Sequence, residues 1–186
     1  MKKYIYTVML VLMVSIVAQA QRMLPKQKGV EVNTGVLSTD KIGNDYYINI
    51  AMTVNGKKGN YQLWVLEYTH QYHNYKNLRI PQETYTAEGG WSFFLLGDTY
   101  KNITLNVAIT GVLGYESVNG GEQMLYDGAK IVSEDNFTYG AGGRLSLETY
   151  LSDHFVLLLQ GSTKILWGTD MKQFRPSVGV GLRFNF

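Results

Sequence analysis

Apolar and polar side chains alternate with a period of two along most of the chain, the spacing that sends successive residues to opposite faces of a β-strand. The final segment shows it most cleanly. Phe174, Pro176, Val178, Val180, Leu182, Phe184 and Phe186 fall on one face, and Arg175, Ser177, Gly179, Gly181, Arg183 and Asn185 on the other. Residues 155–167 oppose Phe155, Leu157, Leu159, Ile165 and Trp167 to Gln160, Ser162 and Lys164. Residues 46–54 set Tyr46, Ile48, Ile50, Met52 and Val54 against Tyr47, Asn49, Ala51 and Thr53. Residues 103–116 and 137–151 alternate in the same way, with Glu116 on the polar face of the first and Arg144, Ser146 and Glu148 on that of the second. Two weaker strands run through Val30, Val32, Thr34 and Val36, and through Tyr85, Ala87, Trp91, Phe93 and Leu95. Residues 60–72 are apolar on both sides around Leu63-Trp64-Val65-Leu66, which leaves the facing of this third strand open.

The segments between strands carry Gly, Asn, Asp and Ser, which tolerate turn dihedrals. Tight connections at 55–59, 97–102 and 152–154 alternate with longer ones, of which 71–83 and 117–136 read as long loops. Short turns at one end and longer loops at the other are the outer-membrane pattern, with the long loops outside the cell. The expected fold is all-β: an eight-stranded antiparallel up-and-down transmembrane β-barrel. Eight strands enclose an interior just wide enough for side chains to fill. A soluble barrel or sandwich would alternate as well, but with its apolar face buried inside.

The start of the chain changes the picture by adding export. Lys2 and Lys3 precede an apolar run over residues 4–17, and Ala18-Gln19-Ala20 supplies a small-x-small cleavage pattern. A spanning helix needs roughly 20 apolar residues, and this run meets Gln21 and Arg22 first. Residues 1–20 are therefore expected to be a cleaved signal peptide and residues 21–186 the outer-membrane barrel domain. The chain has no cysteine, which excludes disulfides, thiolate metal sites and a lipoprotein anchor.

Charge adds a second expectation. Seventeen basic side chains face fifteen acidic ones, and without Lys2 and Lys3 the two signs balance, so the basic excess usual for nucleic-acid binding is missing. On the polar faces Glu31, Glu67, Glu88, Glu116 and Glu148 would share a lumen with Arg144, Lys164, Arg175 and Arg183. Buried charges are costly unless paired, so these are expected to form a network that plugs the barrel. A DNA conduit through one such barrel is excluded by the filled interior.

Candidate chemistry is sparse. His70 and His73, spaced i, i+3, point to opposite faces of a strand and suit an aromatic interfacial belt with Tyr68, Tyr72 and Tyr75 better than a chelate. They would be the candidates if the chain were a lipid-modifying barrel enzyme. His154 and Ser152 share a tight turn, with no oxyanion hole or strained nucleophile turn in the sequence around them. Gly140-Ala141-Gly142-Gly143 sits inside an alternating strand with no helix after it, so the phosphate-loop mechanism has no basis there. No catalytic, cofactor or metal residues are assigned. Gly181, Phe184 and Phe186 resemble the C-terminal signal read by the barrel-assembly machinery, although that pattern expects a polar residue where Gly179 stands.

Longer stretches carry a resemblance. Gly59-Asn60-Tyr61-Gln62-Leu63-Trp64, Glu67-Tyr68-Thr69-His70, Leu78-Arg79-Ile80-Pro81-Gln82-Glu83-Thr84-Tyr85, Leu125-Tyr126-Asp127-Gly128-Ala129-Lys130, Ser133-Glu134-Asp135-Asn136-Phe137, Thr149-Tyr150-Leu151-Ser152-Asp153 and Phe174-Arg175-Pro176-Ser177 are similar in order to the TraO family of conjugative transposon proteins. The resemblance implies a non-enzymatic outer-membrane component of a conjugal DNA-transfer, type IV secretion-like apparatus of Bacteroides-type bacteria, acting in anchoring or assembly. Its partners would be outer-membrane lipids, other conjugal transfer proteins and the barrel-assembly machinery, with no direct nucleic-acid binding and no cofactor. The rival reading is a small outer-membrane barrel that acts through its loops as an adhesin or surface-exclusion factor.

Overall fold

The computed structural model describes residues 24–37, 45–75, 78–99, 102–118, 135–169 and 172–186; the expected signal segment 1–20 and most of the expected loop 117–136 lie outside them. Eight strands form: β1 (Lys28–Leu37), β2 (Tyr46–Asn55), β3 (Tyr61–Tyr75), β4 (Leu78–Gly97), β5 (Ile103–Val118), β6 (Asn136–Tyr150), β7 (Phe155–Trp167) and β8 (Phe174–Asn185). Each pairs antiparallel with the next, and β8 returns to pair with β1, so the sheet is a closed up-and-down barrel. Closure leaves no edge strand for another chain to extend.

The alternation sorts the side chains as it does in no water-soluble barrel. The outer face is apolar: Leu66, Ile109 and Phe137 are each 64–68% exposed. The inner face is polar and dense, with Glu31, Glu148 and Arg183 at 1% exposure or less. On β8 the apolar face runs from Phe174 to Phe186, which at the usual rise and tilt spans roughly 30 Å, enough to match a bilayer core. No helix among the described residues is long and apolar enough to cross a membrane; the strands are the elements with that reach.

Register settles the third strand. Trp64 and Leu66 point outward, while Tyr61, Leu63 and Val65 point inward and pack with Ala51 and Ala108 as a small apolar layer inside the lumen. One expectation needs correction. Residues 71–83 are no long loop: β3 and β4 stay paired out to Tyr75 and Leu78, because the polar inward positions Thr69, Gln71, Gln82 and Thr84 continue the alternation. The wall is therefore taller on this side, with β3 and β4 at 15 and 20 residues against 10 for β1 and β2. In β4 the register shifts between Phe94 and Leu96. This bulge, near the short-turn end, adds one residue to the strand and leaves Leu95 and Leu96 both exposed.

Candidate functional site

The lumen holds its charges in three layers. Nearest the short turns, Arg183 on β8 donates from Nε to Glu31 Oε1 at 2.8 Å, from Nη1 to Glu148 Oε2 at 2.8 Å and from Nη2 to Glu148 Oε1 at 3.1 Å. The two Glu148 bonds form a bidentate fork, the strongest arrangement open to a guanidinium and a carboxylate. Arg144 reaches across from β6 to Glu31 Oε2 at 3.0 Å. The Tyr61 hydroxyl donates to Glu148 Oε1 at 2.6 Å, and its ring lies 4.6 Å beneath the Arg183 guanidinium. Asn33 donates to Glu31, and Ser146 and Tyr150 donate to Glu148. A buried ion cluster needs this degree of satisfaction to offset its desolvation.

In the middle layer Lys164 on β7 holds two carboxylates at once, Glu67 on β3 at 2.5 Å and Glu88 on β4 at 2.6 Å. Its ammonium also donates to Thr86 Oγ1 at 3.2 Å. Thr110 donates to Glu88, and Asn49 and Thr69 donate to Glu67. Glycine at 142 makes room here, since a Cβ would run into the Thr110 hydroxyl and stand 3.3 Å from Glu88 Oε2. At the long-loop end Arg175 on β8 pairs with Glu116 on β5 at 2.7 Å and donates to Thr84 and to the Lys172 carbonyl. Thr169 donates to the other oxygen of Glu116.

The remaining space is small. Tyr47 points inward at 1% exposure and occupies the gap between Gly35 and Gly179, where a Cβ on either glycine would meet its ring or hydroxyl. A polar side chain at 179 has no room beside Tyr47 and the backbone of Thr34 and Gly35. Among the described residues, two of the cavities between lumenal side chains measure about 20 Å³ each, space for a single water. Ion pairs between β1, β3, β4, β5, β6, β7 and β8 cross this space.

The other sequence-derived positions fall elsewhere. Gly181 faces inward against Asn33. Phe184 and Phe186 face outward and stack on each other, and Phe184 also packs against Phe155 and His154. Ser152 Oγ accepts from the backbone N–H of His154 and Phe155, a turn-capping role. The side chain of His73 lies outside the described residues. Among those residues no three His, Asp or Glu side chains stand together to hold a metal.

His70 belongs to a cluster on the outer face at the long-loop end. Its ring packs between Tyr46 at 5.6 Å and Tyr72 at 4.8 Å, and its Nδ1 lies 3.8 Å from Glu83 Oε1. Tyr68 donates to Glu83 Oε1 at 3.0 Å and Tyr85 to Glu83 Oε2 at 3.4 Å. Sequence reasoning missed Glu83, although a signal was present. Thr84, Thr86 and Glu88 set the inward phase of β4, which puts Glu83 on the outward face with Tyr85. Tyr61 was missed because tyrosine fits either face of a strand.

Solved structures of similar shape are outer-membrane barrels. Neisserial surface protein A superposes with a TM-score of 0.54 at 15% identity, covering 86% of this chain and 95% of its own. Ail, the attachment invasion locus protein of Yersinia pestis, gives a TM-score of 0.57 at 10% identity, covering 88% of this chain and 100% of its own. At such identities the likeness shows the fold alone. No curated protein matches the sequence. The sequence profile of the family described as "Conjugative transposon protein TraO" matches residues 24–186, so the chain belongs to the TraO family of conjugative transposon proteins.

Proposed function

We propose that the protein is a non-enzymatic part of the outer membrane that anchors or assembles a conjugative, type IV secretion-like DNA-transfer apparatus. The observation that carries this reading is a closed barrel, apolar outside and plugged by ion pairs inside, in a chain of the TraO family. A rigid, filled barrel offers a membrane anchor and external surfaces, and offers neither a pore for DNA nor a pocket for chemistry. Residues 1–20 direct export and are removed, and Gly181, Phe184 and Phe186 present the last strand to the barrel-assembly machinery. The short turns face the periplasm and the long loops the exterior. The working contacts are with other transfer proteins, and nucleic acid is not among them.

The test is deletion of the gene in a donor strain, followed by measurement of transfer frequency and complementation in trans. The account expects a loss of transfer that the wild-type gene restores; unchanged transfer refutes it. Complementation with the loop 119–134 shortened separates the adhesin or exclusion reading. An anchor keeps supporting transfer, whereas a loop-borne activity disappears.

A further inference from the structure

At the long-loop end of the outer face, the apolar surface meets a charged group at Glu83. Glu83 is a carboxylate on the outward face of β4, with 39% of its side chain exposed. The cross-strand rows explain what lies below it. Ile48, Tyr68, Tyr85 and Tyr115 form one row across β2–β5, and Ile50, Leu66, Ala87 and Leu113 form the next. The phenols of Tyr68 and Tyr85 both reach toward the long-loop end to donate to Glu83. The small side chain of Ala87 sits between Leu66 and Leu113. Together these leave an apolar groove of about 620 Å³ on the outside of the barrel, walled by Ile50, Leu66, Tyr68, Tyr85, Ala87 and Leu113.

We propose that this groove and the Glu83 cluster form a binding site for one phospholipid with an ammonium headgroup, of the ethanolamine type. The proposal rests on the membrane-barrel reading above. The acyl chain lies along Ala87, continuous with the rest of the apolar band. The ammonium donates to Glu83 and stands against the Tyr68 and Tyr85 rings, whose centroids are 5.2 Å apart. A carboxylate beside aromatic faces attracts a cation through both its charge and the ring quadrupoles. An anionic headgroup without an ammonium would meet the Glu83 charge instead, so the site selects by headgroup.

Native mass spectrometry of the full chain in detergent tests this, with phosphatidylethanolamine and phosphatidylglycerol of identical acyl chains as probes. The expected result is a one-to-one phosphatidylethanolamine adduct that survives activation which strips phosphatidylglycerol. Glu83→Gln should lower that preference about tenfold, the scale of one lost charged hydrogen bond. Ala87→Phe should remove the adduct by filling the groove. Each variant is checked for folding by its mobility on an unboiled gel. Equal retention of both lipids, or a preference that survives Glu83→Gln in folded protein, overturns the site. A chain that retains no lipid yet still shows heat-modifiable mobility overturns the site and leaves the barrel standing. A chain that shows neither overturns the membrane reading itself.

Discussion

Glu31 and Arg183 stand directly opposite each other in the β1–β8 ladder that closes the barrel, and their side chains meet inside it at 2.8 Å. The seam is therefore joined twice, by backbone hydrogen bonds and by a buried ion pair that extends to Glu148 and Arg144. Arg183→Ala would leave two buried carboxylates short of their shared cation. Removing one partner of a buried pair costs about 3–5 kcal/mol. Urea unfolding in detergent should show that loss, with Glu148 the carboxylate left without a cation while Arg144 still faces Glu31. A change below about 1 kcal/mol would mean that the seam does not depend on this pair.

Lys164→Met removes the cation shared by Glu67 and Glu88, two carboxylates held on one ammonium. It should destabilise more than Lys164→Arg, which keeps the charge but not the compact ammonium. Comparing unfolding midpoints of the two variants checks the order, and equal midpoints would count against the middle layer.

The interior was legible in the sequence as far as alternation reached. In β8, Arg175 and Arg183 fall on one parity and Phe174, Leu182 and Phe184 on the other, so facing follows from spacing alone. In β3 it does not, because Leu63, Trp64, Val65 and Leu66 are all apolar and either face would accept them. There the pairing with β2 and β4 decides, and that pairing is set by the whole sheet. Which cation meets which carboxylate was likewise hidden. Arg144 and Glu31 come from strands on opposite sides of the lumen, and only closure brings them to 3.0 Å. Residues 71–83 looked like a loop because Pro81 and several polar residues interrupt the apolar run. Polar inward positions are what a barrel with a charged lumen uses, so the strands run on.

Gly179→Ser supplies the polar residue that the assembly-signal pattern expects, and the structure makes it unfavourable. The added atoms enter space held by Tyr47 and by the backbone of Thr34 and Gly35. Overpacking of this kind costs about 1–3 kcal/mol. Tyr47→Ala in the same chain should restore part of the loss in a denaturation assay. A stable single variant would show that the lumen has more room than described.

The lumenal side chains also set an expectation for transport. Purified monomer in a planar bilayer should give no steady ion conductance, since the cavities between the charges hold about one water each. An ohmic current proportional to monomer insertion would contradict the plugged lumen.

Ile109 sits near the middle of β5 on the outer face, 64% exposed. Ile109→Arg should cost about 2–4 kcal/mol in a lipid-embedded barrel, measured by unfolding in lipid vesicles. The same change on a water-facing surface would be near neutral, so a silent result would point to water outside the barrel.

Every part of this account depends on an apolar exterior facing lipid and a charged interior closed to it. Outer-membrane fractions of the native host, run on a gel boiled and unboiled, test that directly. The account predicts that the protein sediments with the outer membrane and changes mobility on boiling, as the closed barrel opens. Recovery in the soluble fraction with one mobility under both conditions would contradict it.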